Sequence, residues 1–275
     1  MAEFTFPVLL LLGFIGCFAG FLAGLLGLGG GIIYIPMFLW AFGVFKVAPE
    51  VIVHVAFGTS LGIILPTAVS SSLVHLRNGH LHLDQLARLA AGSAIGALLG
   101  AKLASLTPGI WLKALFGLML LAIALRIFFS HPRFPEKNEE KVTSTRLVCV
   151  GFAGGCFAAF FGVSGAVVVL PLLLLGLRQP MHTAIASSSA LMVISCFVGT
   201  TAYMFHGWGN IALPSFSVGF VNLLVVAVCA PSTTLFARFG AHVAHRFSHD
   251  RLVRIFAVVL IVVGLRMVGS IFFHS

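Results

Sequence analysis

A chain of 275 residues that is 60% hydrophobic and 8% charged holds more apolar sequence than a soluble core can bury; soluble domains carry roughly a quarter charged residues. A formal charge of +9 would suggest nucleic acid in a soluble protein. Here the Lys and Arg residues stand at the ends of apolar runs without an aromatic-interleaved basic patch, so they read as topology signals and no nucleic-acid partner is expected. Cys17, Cys149, Cys156, Cys196 and Cys229 fall singly in or beside apolar stretches with no CxxC, which leaves no case for a disulfide framework or a zinc site.

Apolar segments are expected at 6–26, 31–45, 50–76, 84–106, 110–130, 147–161, 165–177, 182–206, 212–237 and 252–273. Most reach the ~20 residues needed to span a bilayer. The first has no basic flank before it and reads as a retained helix rather than a cleaved signal. The second and seventh are short enough to be half-helices or re-entrant. A single polar stretch, Ser130 to Arg146, divides the chain, so the expected organisation is 1–129, a linker 130–146, and 147–275.

The two halves repeat one another. Gly24-Leu-Leu-Gly-Leu-Gly-Gly-Gly-Ile-Ile-Tyr-Ile-Pro36 returns 135 residues later as Ala159-Phe-Phe-Gly-Val-Ser-Gly-Ala-Val-Val-Val-Leu-Pro171. His54-Val-Ala-Phe-Gly-Thr-Ser60 returns at offset 128 as His182-Thr-Ala-Ile-Ala-Ser-Ser188, and Leu125-Arg126 at offset 140 as Leu265-Arg266. A colinear repeat of this length outweighs any single motif.

Charge orients the halves. If each half crosses an odd number of times, one face receives Arg77, Arg88, Arg126, Arg133, Lys137, Lys141, Arg146, Arg178, Arg238, Arg246, Arg251 and Arg254. The other receives Lys46, Lys102, Lys113 and Arg266. Twelve against four places the linker in the cytoplasm, both termini outside and the halves in opposite orientation. The expected fold is an all-α polytopic membrane protein, an inverted-topology repeat of two five-segment halves with glycine-broken or re-entrant helices. In such repeats substrate sites form at mid-bilayer from discontinuous helices.

The small-residue ladders Gly16-Gly20-Gly24, Gly151-Gly155-Ala159 and Gly92-Gly96-Gly100 read as helix-packing faces. The breaks read differently. Gly27, Gly29, Gly30 and Gly31, with Gly162, Ser164 and Gly165, free backbone N–H groups at membrane depth, where such backbone must be buried or line a cavity. The positive end of the following helix then favours an anion; a plain kink is the other reading. Thr59 and Ser60, matched by Ser187, Ser188 and Ser189, could donate to oxyanions or bond back into their own helices. Lys46 and Arg178, each just before a proline, could recruit anions at the two faces or snorkel to the interface. His54 and His182 are gating candidates, with interface or helix-cap roles as the alternative. The His242, His245, His249 trio lacks acid partners beyond Asp250, so no metal is expected.

All seven acids, Glu3, Glu50, Asp84, Glu136, Glu139, Glu140 and Asp250, fall in termini, loops or segment ends. Cation carriers and proton relays usually hold a carboxylate within the membrane, so the cargo is expected to be an anion. No HExxH, no paired Asp and no acid-oriented Ser/His set is present, so neither enzyme activity nor a cofactor is expected.

At these residues the chain resembles the TauE/SafE family of sulfite and organosulfonate exporters, also called the 4-toluene sulfonate uptake permease family. The resemblance rests on the break ending at Pro36, its second copy ending at Pro171, and the His54–Ser60 and His182–Ser189 helices. It spans roughly 10 to 272; the second copy departs at Ser164 and Ala166, where the first has Gly29 and Gly31. The resemblance implies transport of sulfite, sulfonates or related sulfur oxyanions across a bacterial inner membrane, in the direction of export. The expected function is therefore a secondary transporter working by alternating access, with an anion channel or an importer of thiosulfate- or sulfate-like species as the alternative. Its partners are a small sulfur oxyanion and membrane lipid.

Overall fold

The computed structural model describes residues 6–26, 30–77, 83–129, 143–244 and 249–270. The elements run α1 (Phe6–Leu26), α2 (Gly31–Val44), α3 (Ile52–Arg77), α4 (Leu83–Leu106), α5 (Gly109–Phe129), α6 (Ser144–Phe161), α7 (Ala166–Pro171), a π-helical turn (Leu172–Gly176) and α8 (Met181–His206). A two-stranded antiparallel hairpin, β1 (Ser217–Val218) and β2 (Val221–Asn222), precedes α9 (Leu223–Ala244) and α10 (His249–Gly269). Seven of these helices are long and apolar enough to cross a membrane, among the described residues. The chain is an all-α polytopic membrane protein. Helices dominate because hydrocarbon offers backbone groups no partner, and a helix satisfies them within one segment.

Where helices are apolar nearly all round, small residues decide which faces meet. α1 lies against α9 with Gly16 on Cys229, Gly20 on Thr233 and Gly24 on Ala237, both chains advancing together, so the pair is parallel. α6 lies against α4 in the same way, with Gly151 on Leu89 and Gly155 on Ser93. Adding 135 to the α1 residues and subtracting 140 from the α9 residues converts the first register into the second. α3 and α8, the most buried of the long helices, cross at Gly58 on Tyr203 and Gly62 on Thr200, an antiparallel register. α5 and α10 are also antiparallel: Gly117 meets Gly264 and Met267, while Gly264 meets Gly117 and Leu121. The hydroxyls of Thr67 and Ser195, matched at offset 128, each donate three residues back, to Ile64 and Met192, at 2.6 and 3.2 Å.

The second and seventh apolar segments are short helices. The ninth segment departs from expectation. In place of a span over 212–237, residues 207–222 form turns and the small hairpin, and α9 starts only at Leu223. The hairpin is held by backbone bonds that an apolar pattern does not announce: Phe220 N–H donates to the Tyr203 carbonyl at the end of α8 (3.1 Å) and Leu223 N–H to Phe216 (3.0 Å). Gly219, at φ 56, packs so closely on Met204 that a side chain has no room.

Candidate functional site

The two glycine breaks come together. A Cβ added to Gly31 would lie 2.8 Å from Val163 Cα and 2.9 Å from Ile64 Cδ1. One added to Gly162 would lie 2.6 Å from Phe57 Cα. So the start of α2 touches the loop after α6, and α3 backs both. Gly162 ends α6 at φ 66, with Val163 N–H donating to the Ala158 carbonyl at 3.0 Å, a helix stop that favours glycine. Gly30 caps α2 at φ 79, and its carbonyl accepts from Ile33 (2.9 Å) and Tyr34 (3.0 Å), so the N–H groups of Gly31 and Ile32 precede the first intrahelical bond. Gly27 and Gly29 lie outside the described residues. Gly165 has ordinary helical φ, starts α7 and rests against Gly154, while Ser164 is buried.

Phe57, Ser60 and Ile64 share one face of α3, being three and four residues apart. Phe57 contacts Gly162 and Ile64 contacts Gly31, so Ser60 stands on α3 between the two break contacts. It is fully buried, and its Oγ has no hydrogen-bond partner among the described residues. A buried hydroxyl without a partner is costly, by about 1–3 kcal/mol, and therefore asks for a ligand or a reason. Its repeat counterpart Ser188 is buried too, but donates to the Ile185 carbonyl of its own helix at 3.0 Å. Ser187 and Ser189 are buried beside it.

Thr59 faces elsewhere. Its Oγ1 accepts the Asn222 N–H at 3.0 Å. Asn222 is fully buried and caps α9, its Oδ1 accepting from Val225 N–H (3.0 Å), while its Nδ2 donates to Ser215 O (3.0 Å) and Ser217 Oγ (3.1 Å). The sequence reading passed over Asn222; an Asn directly before an apolar helical run is the signal that would have found it. Tyr34 and Thr233 were also missed. Their hydroxyls bond to each other across 199 residues, joining α2 to α9 at full burial. Tyr34, Phe38 and Phe42 stack along α2 with centroids 5.6 Å apart.

The basic residues keep to the periphery. Lys46 and Arg178 are exposed, and both take left-handed backbone, φ 54 and φ 49. After α2, Lys46 N–H donates to Gly43 O and Val47 N–H to Phe42 O, the paired bonds of a glycine-type helix stop carried by a lysine. After the π turn, Gln179 N–H reaches Leu173 O at 3.0 Å, the same closure stretched by one residue. A cleft of about 510 Å³ opens beside Lys46, between the end of α2 and residues 211–215. His54 is buried, its Nε2 3.1 Å from both the Ala104 and Thr107 carbonyls at the end of α4, with its ring on Phe220. It closes a helix end. His182 is exposed in the first turn of α8.

Buried polar side chains among the described residues are hydroxyls, Asn222, Gln179 and His54; no carboxylate is among them. The arrangement offers donors and a helix start to a ligand, and among the described residues no buried nucleophile has an orienting acid.

The chain is similar over nearly its whole length to proteins named only as probable membrane transporters. It is 24% identical to YunE of Bacillus subtilis over 96% of this chain and 97% of that one. Identity is 26% to a protein of Haemophilus influenzae (96% and 98% covered) and 28% to one of Xylella fastidiosa (92% of each). No solved structure matches it. The family described as sulfite exporter TauE/SafE matches residues 12–267. Matching across that length leads to one conclusion: the chain belongs to the TauE/SafE family and is a membrane transporter, not an enzyme.

Proposed function

We propose that this transporter is an inverted repeat that carries small sulfur oxyanions, such as sulfite or organosulfonates, outward across a bacterial inner membrane by alternating access. The anion is held where the two breaks meet, by the N–H groups of Gly31 and Ile32, which precede the first intrahelical bond of α2, and by Ser60. The observation that carries this is the Ser60 hydroxyl, fully buried and without a partner among the described residues, on the face of α3 that backs both breaks. An oxyanion would accept its proton, and a helix start adds positive potential without a fixed charge that would hold the ion too tightly.

The pairing registers support the inverted reading. Opposed halves require the copies α3 and α8, and the copies α5 and α10, to run antiparallel, while α1 with α9 and α6 with α4 run parallel; each pair has that sense. The family description supports the sulfur-oxyanion cargo. The charge count supports a cytoplasmic linker with both termini outside, and exposed Lys46 and Arg178 as anion-recruiting positions at the two faces. An interior-negative potential is worth about 2.3 kcal/mol per charge per 100 mV, which favours exit of an anion.

The test is sulfite flux in sealed proteoliposomes under an imposed potential, with sulfate, thiosulfate, sulfoacetate and chloride as competitors. Saturable sulfite movement that weakens in Ser60→Ala and disappears in folded Gly30→Leu is the expected result. Flux of none of these anions overturns the cargo. Full activity in both variants overturns the site.

A further inference from the structure

A groove of about 420 Å³ runs along the outside of the bundle, between α5, α6 and the α7–π-turn segment. Ile123, Phe157, Val168 and Leu172 are among its walls; Arg126 is the one charged residue lining it, and Gly176 is at its margin. Arg126 lies in the last turn of α5, is exposed, and has no hydrogen-bond or ion-pair partner among the described residues. The charge count assigns it to the same face as Arg178, the cytoplasmic one.

We propose that this groove binds one anionic phospholipid, with an acyl chain between the apolar walls and the headgroup phosphate on Arg126. Three observations fit that occupant. Among the lining side chains a polar ligand finds one group to bond, the Arg126 guanidinium, whose planar fork matches phosphate oxygens. The groove borders side chains that face the membrane, such as Leu172, Leu175 and Leu125, all exposed. A second copy of the chain fits less well. The tight helix contacts of this bundle are made by glycines that let backbones touch, as between α4 and α6. This groove is walled by branched and aromatic side chains, and a Cβ built on Gly176 meets nothing within 4 Å. A flexible acyl chain fills such a gap; a rigid helix does not. One wall is the π turn, so an occupied groove braces the half-helix that follows the second break against α5.

The site is tested by native mass spectrometry of the full chain, loaded with phosphatidylglycerol or phosphatidylcholine, for wild type, Arg126→Gln, Gly176→Leu and the repeat-matched control Arg266→Gln. Wild type is expected to retain phosphatidylglycerol preferentially. Arg126→Gln is expected to lose about fivefold in that preference, the effect of one basic residue at an anionic headgroup, while Arg266→Gln keeps it. Gly176→Leu is expected to retain less of both lipids, because it fills the groove without a clash. Equal preference in Arg126→Gln, an equal loss in Arg266→Gln, or undiminished binding in Gly176→Leu overturns the proposal. So does a dimer mass that gains no lipid and is broken by Gly176→Leu, which would make the groove a self-association face.

Discussion

At the first break, Gly30 takes left-handed backbone, α2 continues for 14 residues, and Tyr34 ties the helix to Thr233 of α9. At the second, Gly165 is helical, α7 lasts six residues before a π turn, and the residue matching Tyr34 is Val169. Val169 instead packs into the notch at Gly154. The residue matching Thr233 is Ser93, fully buried, with no partner for its hydroxyl among the described residues. The serines on the central helices divide in the opposite sense. Ser60 of the first half has no partner among the described residues, and Ser188 of the second is bonded into its own helix. Two copies of one sequence plan have thus divided their labour. The first break is anchored by a polar link and its half carries the serine without a partner among the described residues, while the second is held by apolar packing and its half carries a self-satisfied serine.

The largest effect is expected from forcing the second break off α3. Gly162→Leu needs left-handed backbone from leucine and drives its Cβ into the α3 main chain at Phe57, so the folded peak is expected to vanish in size-exclusion chromatography. Gly176→Leu, in open space, is expected to keep it. Next comes the anchor. Tyr34→Phe leaves Thr233 only its 3.4 Å bond to the Gly16 carbonyl and is expected to lower stability by about 1 kcal/mol in thermal unfolding, the net worth of one hydrogen bond. Ser93→Ala removes a hydroxyl with no partner among the described residues and is expected to leave stability unchanged or raised; equal losses in the two variants would erase the contrast. A smaller effect is expected at the site. Ser60→Ala should weaken sulfite half-saturation by about tenfold, the worth of one hydrogen bond to a charged group, without loss of melting temperature, and Ser188→Ala should change neither. The smallest effect concerns the two strained cations. Lys46→Gly and Arg178→Gly each remove a left-handed non-glycine residue and are expected to gain about 1 kcal/mol in stability. If the side chains recruit anions, that gain comes with slower flux at low substrate, whereas unchanged flux reduces both residues to helix stops.

Much of this was written into local sequence. Composition specified a membrane protein, hydropathy located most of the spans, and Gly30, Gly31 and Gly162 marked helix breaks, because glycine acts within a turn of where it stands. The repeat was legible for the same reason: similar strings of residues make similar local structure. The ninth span was misplaced because Phe216 to Asn222 is as apolar as a helix. Hydropathy does not register that Tyr203, some 17 residues earlier, supplies the carbonyl that holds Phe220 in a hairpin.

What the chain by itself determined was where helices start, stop and break. Tertiary structure decided which of those places matter. Ser60 and Ser188 both follow a hydroxyl residue on matching helices, and the residues around them do not say which hydroxyl bonds into its own helix. One hydroxyl is satisfied by its own helix and the other stands between two breaks drawn together from residues more than 130 positions apart. The bond between Tyr34 and Thr233, across 199 residues, is likewise invisible to any local pattern. In a helix bundle with few polar groups, propensity and hydropathy are spent on making the helices. Partner choice among buried hydroxyls depends on distances that exist only once the helices have packed.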